Sequence, residues 1–181
     1  MTTESLARRF ALSTDLPERF FAAEADQISR ACLEMARRFR RGGRLLVFGE
    51  GAQASDARHV AVEFMHPVLV GKRALPALAL EPASGAFAAQ IDALVRDTDI
   101  AMGLAAGAAS DHILDALERA RRRGALTLAL SASPPPAGFG PAVDFSFTVP
   151  CDDPLGAQEI HETLYHILWE LVHVFFDHDA I

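Results

Sequence analysis

Short apolar runs alternate with longer amphipathic segments along most of the chain. The runs are continuous rather than alternating, which is typical of strands that are buried on both faces of a sheet. They are LLVF (45–48), LPALAL (75–80), DIAMGLA (99–105), ALTLALS (125–131) and DFSFTV (144–149). The pattern therefore predicts a set of short, buried strands.

Helix-like periodicity fills the spaces between these runs. We expect helices at about 53–66, 84–95, 109–123 and 155–177. Alternation of strands and helices predicts an α/β fold, a three-layer α/β/α sandwich around a parallel sheet of about five strands. Ligands of such sheets bind beyond the carboxyl ends of the strands. Those ends fall at 49–53, 81–85, 105–110, 131–139 and 151–155.

The first 42 residues read as helix and precede the alternating pattern. We expect a break near Ser13–Pro17, with Thr14 or Asp15 capping a second helix and Pro17 in its first turn. The organisation predicted is an N-terminal helical arm (1–42) on a single structural unit (43–181), without an internal repeat.

The charge and the composition narrow the possible partners. The net charge is −7, so nothing favours nucleic acid or an acidic membrane as a partner. The arginine clusters at 37–41 and 121–123 each end a predicted helix before glycine, where cations complement the helix dipole. The two cysteines have no CxxC spacing, and no apolar stretch is long enough for a signal peptide or membrane span. We expect a cytoplasmic protein.

Two helices carry candidate chemistry. His59 and Glu63 are four residues apart on one face, a spacing that suits a zinc-type ion, although a hydrogen-bonded surface pair has the same spacing. On the last helix, Gln158, Glu162 and His166 form a stripe at i, i+4 and i+8. A histidine in so apolar a helix is more often a core residue than a ligand.

Two turns are candidate ligand-binding segments. Gly49 and Gly51 lie between a predicted strand and a helix, as in phosphate-binding turns, but the turn also carries Glu50 and Gln53. The second turn, 105–110, offers a hydroxyl only at Ser110, so it is either a tight packing turn or a weak anion site. The candidate ligand-binding residues are Gly49, Gly51, Gln53 and Ser110.

The chain resembles a SIS (sugar isomerase) domain of the phosphoheptose isomerase type over nearly its whole length. The stretches that carry this resemblance are FGEGAQASDARHVAVE, KRALPALAL, DIAMGLAAGAAS, HILDALERARRRGALTLAL and AQEIHETLYHILWELV. The phosphate-binding motifs are degenerate. Gln53 stands where the family has serine, Ala105–Gly107 replace a serine- and threonine-rich turn, and His66-Pro67 replace Gly-Arg.

The resemblance implies a Rossmann-like fold, a homotetramer with sites at subunit interfaces, and a zinc site. It places the metal ligands on His59, Glu63, Gln158 and His166, and the proton-transferring residues on Glu63 and His166. Two hypotheses follow. One is a divergent metal-dependent isomerase acting on a sugar-like or sugar-phosphate-like ligand. The other is a non-catalytic binding, assembly or regulatory protein that binds a protein partner and retains the metal site.

Overall fold

The strands form one parallel sheet, as the sequence predicts. The computed structural model describes residues 3–81, 87–105, 107, 110–132 and 143–178. The helices are α1 (Thr3–Arg40), α2 (Gln53–Met65), α3 (Phe87–Leu94), α4 (Asp111–Arg122) and α5 (Pro154–Asp177). The strands are β1 (Leu45–Gly49), β2 (Ala77–Ala79), β3 (Ile100–Leu104), β4 (Leu126–Ala132) and β5 (Phe145–Val149). All pairings are parallel, in the order β2-β1-β3-β4-β5.

Helices cover both faces of the sheet, which confirms the three-layer α/β/α architecture. Along β1, Leu45 and Val47 pack into one core and Leu46 and Phe48 into the other, because successive strand side chains point to opposite faces. The first core is shared with α1, α2 and α5, and the second with α3 and α4. Both ends of the chain therefore contribute helices to the same layer.

The predicted break in the N-terminal arm is wrong. α1 runs without interruption from Thr3 to Arg40 and contains Pro17. The Thr14 hydroxyl bonds back to the carbonyl oxygens of Phe10 and Ala11 instead of capping a new helix. Leu16 and Phe20, on either side of the proline, are both buried in the first core. Burial of one continuous apolar face offsets the hydrogen bond that proline cannot make.

Some of the expected loops lie outside the described residues. These are 82–86, half of the 105–110 turn and most of the 131–140 loop. Within the described part of the chain, no helix combines the length and the apolar character that crossing a membrane would require.

Candidate metal and ligand site

The candidate site lies where α2 and α5 pack side by side on one face of the sheet. Val60 and Phe64 of α2 belong to the same core as Leu164 and Leu168 of α5. The N-terminus of α5 is capped by Asp153, whose carboxylate accepts the Gly156 N–H, and Pro154 occupies the first turn. This packing brings together polar side chains that are about one hundred residues apart in sequence.

His59 is the centre of the polar contacts between the two helices. Its Nε2 lies 3.3 Å from Oε1 of Glu63, one turn later on α2. Across the interface its Nδ1 lies 3.1 Å from the Tyr165 hydroxyl, and its ring centroid lies 5.3 Å from that of His166. The side chains of His59 and Glu63 are 38% and 18% exposed, so a ligand can reach the cluster from solvent.

Among the described residues, one group of histidines and carboxylates is compact enough to hold a metal ion. His59, Glu162 and His166 each offer a donor atom, and these atoms lie within 4.8 Å of one another. Oε1 of Glu162 lies 3.8 Å from Nδ1 of His59. Two imidazoles and a carboxylate are ligands that zinc and similar divalent ions accept. The donor chemistry therefore fits a metal of this kind.

A second contact between the helices joins Gln158 to Asp56. The Gln158 amide nitrogen donates to Oδ1 of Asp56 at 2.9 Å. Oδ2 of Asp56 is buried and has no partner among the described residues. Burial raises the pKa of Asp56, the bond from Gln158 opposes that rise, and the nearby Glu162 carboxylate adds to it. A cation beside Asp56 and Glu162 would relieve this repulsion.

Tyr165 orients the His59 ring. Burial, followed by the carboxylates of Glu162, Asp56 and Glu63, holds the pKa of Tyr165 above its usual range. The phenol therefore stays protonated. Since a carboxylate can only accept, Nε2–H of His59 donates to Glu63 and Nδ1 accepts the Tyr165 hydroxyl. A metal on Nε2 would require the other tautomer, in which Nδ1–H donates to the phenol oxygen.

The remaining histidines of α5 hold the helix in place. Nε2 of His161 lies 3.0 Å from the Ser131 carbonyl oxygen at the end of β4, and burial lowers the pKa of His161 to about 4. His173 lies between the carbonyl oxygens of Trp169 and Arg73, at 2.8 and 2.9 Å. His161 and His173 are almost completely buried, as expected of core residues.

A separate small cavity lies at the carboxyl ends of β1 and β3. It has a volume of about 190 Å3, and its polar lining consists of Glu50, Gln53 and Ser110. Ser110 is the N-cap of α4, and its hydroxyl accepts the Ile113 N–H at 3.4 Å. Gly49 allows close packing, since a Cβ there would lie 2.7 Å from that of Gln53, and Gly51 has a φ of +60°. Both glycines thus have a structural reason to be present.

Comparison with known proteins decides the family. The model of the SIS domain family matches residues 10–132. A phosphoheptose isomerase of Solidesulfovibrio magneticus is 34% identical over 173 residues, covering 88% of this chain and 84% of the relative. One from Desulfovibrio desulfuricans is 37% identical over 171 residues, covering 86% and 80%. The chain belongs to the SIS domain family, in its phosphoheptose isomerase branch.

Solved structures agree with this SIS fold. A phosphoheptose isomerase from Francisella tularensis superposes with a TM-score of 0.84 at 23% identity, over 96% of this chain and 100% of that one. One from Neisseria gonorrhoeae gives 0.77 at 24% identity, over 93% and 97%. At these identities the superpositions establish the fold alone.

The predicted site residues of this SIS domain fall into three places. His59 and Glu63 lie against each other beside His166, and Gln158 is bonded to Asp56. The predicted ligand-binding residues line or shape the separate cavity. Binding of metal or sugar by any of them stays a prediction.

Sequence reasoning placed Glu162 on the polar stripe of the last helix but not among the metal ligands, and it did not single out Asp56 or Tyr165. Glu162 had a usable signal, since it stands four residues from both Gln158 and His166. Asp56 precedes His59 by three residues, a weaker signal of a shared helix face. Tyr165 gave no signal in the sequence, because an aromatic residue in an apolar helix is usually a core residue.

Proposed function

We propose that this SIS domain protein binds a sugar-like ligand beside a divalent metal, most simply zinc, and interconverts its aldose and ketose forms. Membership of the phosphoheptose isomerase branch supports the reaction class. The observation that carries the proposal is the cluster of His59, Glu63 and His166 where α2 meets α5. It combines metal-binding groups with proton acceptors at a site open to solvent.

Each residue has a distinct role in the proposal. His59, Glu63, Gln158 and His166 would hold the metal, with Glu162 as a further carboxylate ligand. When bound, the metal would polarise the sugar carbonyl. Glu63 accepts the proton from the carbon next to the carbonyl and returns it to the neighbouring carbon, while His166 exchanges a proton with the oxygens. Tyr165 holds the His59 ring in position.

Solvent exchange tests this proposal directly. Aldose–ketose isomerisation through a shared proton incorporates deuterium from heavy water at C1 or C2, and NMR detects this even when conversion is slow. We expect metal-loaded protein to label a sugar or sugar phosphate from a mixed panel. Glu63→Gln should abolish the labelling, whereas Glu170→Gln, an exposed glutamate of α5, should leave it unchanged.

A non-catalytic binding role is the second candidate. It is supported by the cavity at β1 and β3, where Glu50 and Gln53 replace the expected phosphate-binding side chains. In this case the protein would bind metal and ligand without labelling any sugar. Metal-loaded, ligand-bound protein that neither incorporates deuterium nor forms the isomeric sugar would exclude the isomerase proposal and support this alternative.

A further inference from the structure

The cavity at the carboxyl ends of β1 and β3 is poorly suited to an anion. Its polar lining is a carboxylate, an amide and a hydroxyl, from Glu50, Gln53 and Ser110. Leu104 and Ile113 supply apolar walls. In the part of the chain that the structure describes, no lysine, arginine or histidine lines it.

The sequence extends this observation to the whole edge of the sheet. The connections that leave the carboxyl ends of the strands are 50–52, 80–86, 105–110, 133–144 and 150–153, and none contains lysine, arginine or histidine. Those at the carboxyl edge contain the acidic residues Glu50, Glu81, Asp152 and Asp153. Asp153 is paired with Arg9 of α1. The guanidinium of Arg58 on the nearby α2 is neutralised by Glu81, to which it donates two hydrogen bonds of 2.7 Å.

The start of α2 offers little to a phosphate. The N–H groups of Gln53, Ala54 and Ser55 are bonded to the carbonyl oxygens of the preceding turn. At the start of α4, the N–H groups of Ile113 and Leu114 are bonded to Ser110, whereas no described backbone carbonyl accepts those of Asp111 and His112. Asp56 and Asp111 lie in the first turns, so each helix dipole already faces a carboxylate of its own.

Gln53 adds a polar side chain to this cavity. The residue is 5% exposed overall and lines the cavity. Its amide atoms are not among the buried unpaired atoms of the described structure, so the amide is accessible to whatever enters the cavity. The carboxylate of Glu50, without a cationic partner in the described structure, lies in the same lining.

We propose that this cavity binds a protonated primary amine at the end of the sugar-like ligand, in place of a phosphate. Glu50 neutralises the ammonium group, and the Gln53 amide oxygen and the Ser110 hydroxyl accept its remaining hydrogens. An ammonium carries three donors and no acceptor, which matches these three oxygen-bearing side chains. The inference rests on the proposed function, since the metal cluster would hold the other end of the same ligand.

Matched sugars test the terminal group. The probes are glucose, 6-amino-6-deoxyglucose and glucose 6-phosphate, and calorimetry on metal-loaded protein measures their affinities. We expect the amine to bind roughly tenfold more tightly than the phosphate, the order expected for one charge-assisted contact. Glu50→Gln should remove this preference, whereas the exposed Glu118→Gln on α4 should keep it. Equal affinities, or preference for the phosphate, would overturn the proposal.

Smaller probes examine the cavity without the metal site. Ethanolamine, ethylene glycol and inorganic phosphate are titrated while the side-chain amide resonance of Gln53 is followed by NMR. We expect ethanolamine alone to shift this resonance saturably, and Glu50→Gln to abolish the shift. Absence of an ethanolamine shift overturns the inference even when no sugar binds. A shift that persists in His166→Asn, together with loss of sugar binding, would show that the cavity and the metal cluster act separately.

This design separates the two proposals. If His166→Asn leaves sugar binding and deuterium labelling intact, the proposed function fails while the amine site stands. If Glu50→Gln changes no affinity, the amine site fails while the proposed function stands.

Discussion

The Tyr165 hydroxyl lies 3.1 Å from Nδ1 of His59, so a residue of the last helix fixes the ring of a candidate metal ligand on the first helix after the arm. The two rings meet edge to face, with centroids 5.4 Å apart. Outer partners of this kind set the tautomer and the direction of a ligating imidazole.

Removal of this hydroxyl tests its role. Tyr165→Phe should weaken zinc binding by about tenfold, the lower end of what loss of such an outer partner costs. Competition with a metal-sensitive dye measures the affinity. Trp169→Phe is a matched control on the same helix, because its indole nitrogen has no partner in the described structure. Unchanged zinc affinity in Tyr165→Phe would show that the phenol only packs against His59.

Two glutamates of α5 should differ in their effects on metal content. Glu162→Gln should reduce metal content, since Glu162 belongs to the compact donor group. Glu170→Gln, two turns later on α5 and exposed, should bind metal as the wild type does. Elemental analysis after dialysis against a weak chelator gives the metal content. Full retention of metal by Glu162→Gln would mean that the four residues named from the family resemblance are sufficient.

Burial of His161 should make the protein sensitive to acid. Burial lowers its pKa from about 6.5, the value of an exposed histidine, to about 4 in the folded chain, so the unfolded chain takes up its proton first as the pH falls. Stability should therefore decline from about pH 6.5 to about pH 4, by about 3 kcal/mol in total for this group. Urea unfolding at a series of pH values measures the decline.

Substitution isolates the contribution of this histidine. His161→Gln can still donate to Ser131 but cannot titrate, so the slope over that pH window should become shallower. His178→Gln, an exposed histidine at the end of α5, should leave the slope as it is. Identical slopes in all three proteins would contradict the assignment.

Large apolar side chains on the outside predict association. Phe10 on α1 is 66% exposed, and Val68 and Val70, between α2 and β2, are 77% and 105% exposed. Exposed apolar surface of this extent is typical of interfaces between subunits. We expect light scattering to give the mass of a dimer or tetramer, and Phe10→Ser to shift the distribution towards smaller species. A mass of 19.5 kDa at micromolar concentration would contradict this.

The strands of the sheet could be predicted from the sequence, whereas the uninterrupted course of α1 could not. Five apolar runs, such as 45–48 and 125–131, match β1 to β5. Continuous burial on both faces holds for β1, β3 and β4, whereas the edge strands β2 and β5 are partly exposed. The break at Pro17 was wrong because burial of Leu16 and Phe20 is a property of the tertiary structure. Local sequence patterns do not show how much of the apolar face of α1 a helix distant in sequence will cover.

The candidate site was likewise only partly predictable from the sequence. Spacing within a helix placed His59 with Glu63, and Gln158 with His166, on shared faces. The contacts of Asp56 with Gln158 and of His59 with Tyr165 join residues 102 and 106 positions apart. Such distances depend on how α2 packs on α5, which one sequence read alone does not specify.

The contact between α1 and α5 has a consequence for biosynthesis. Both helices lie in one layer, and residues of α5 complete the core that Leu16 and Phe20 of α1 enter. On the ribosome, α1 emerges first and α5 last. Until α5 has left the exit tunnel, the apolar face of α1 lacks that cover and the imidazole of His59 lacks both Tyr165 and His166. The nascent chain therefore gains the cover of its α1 core and its candidate metal cluster together, once α5 has left the tunnel.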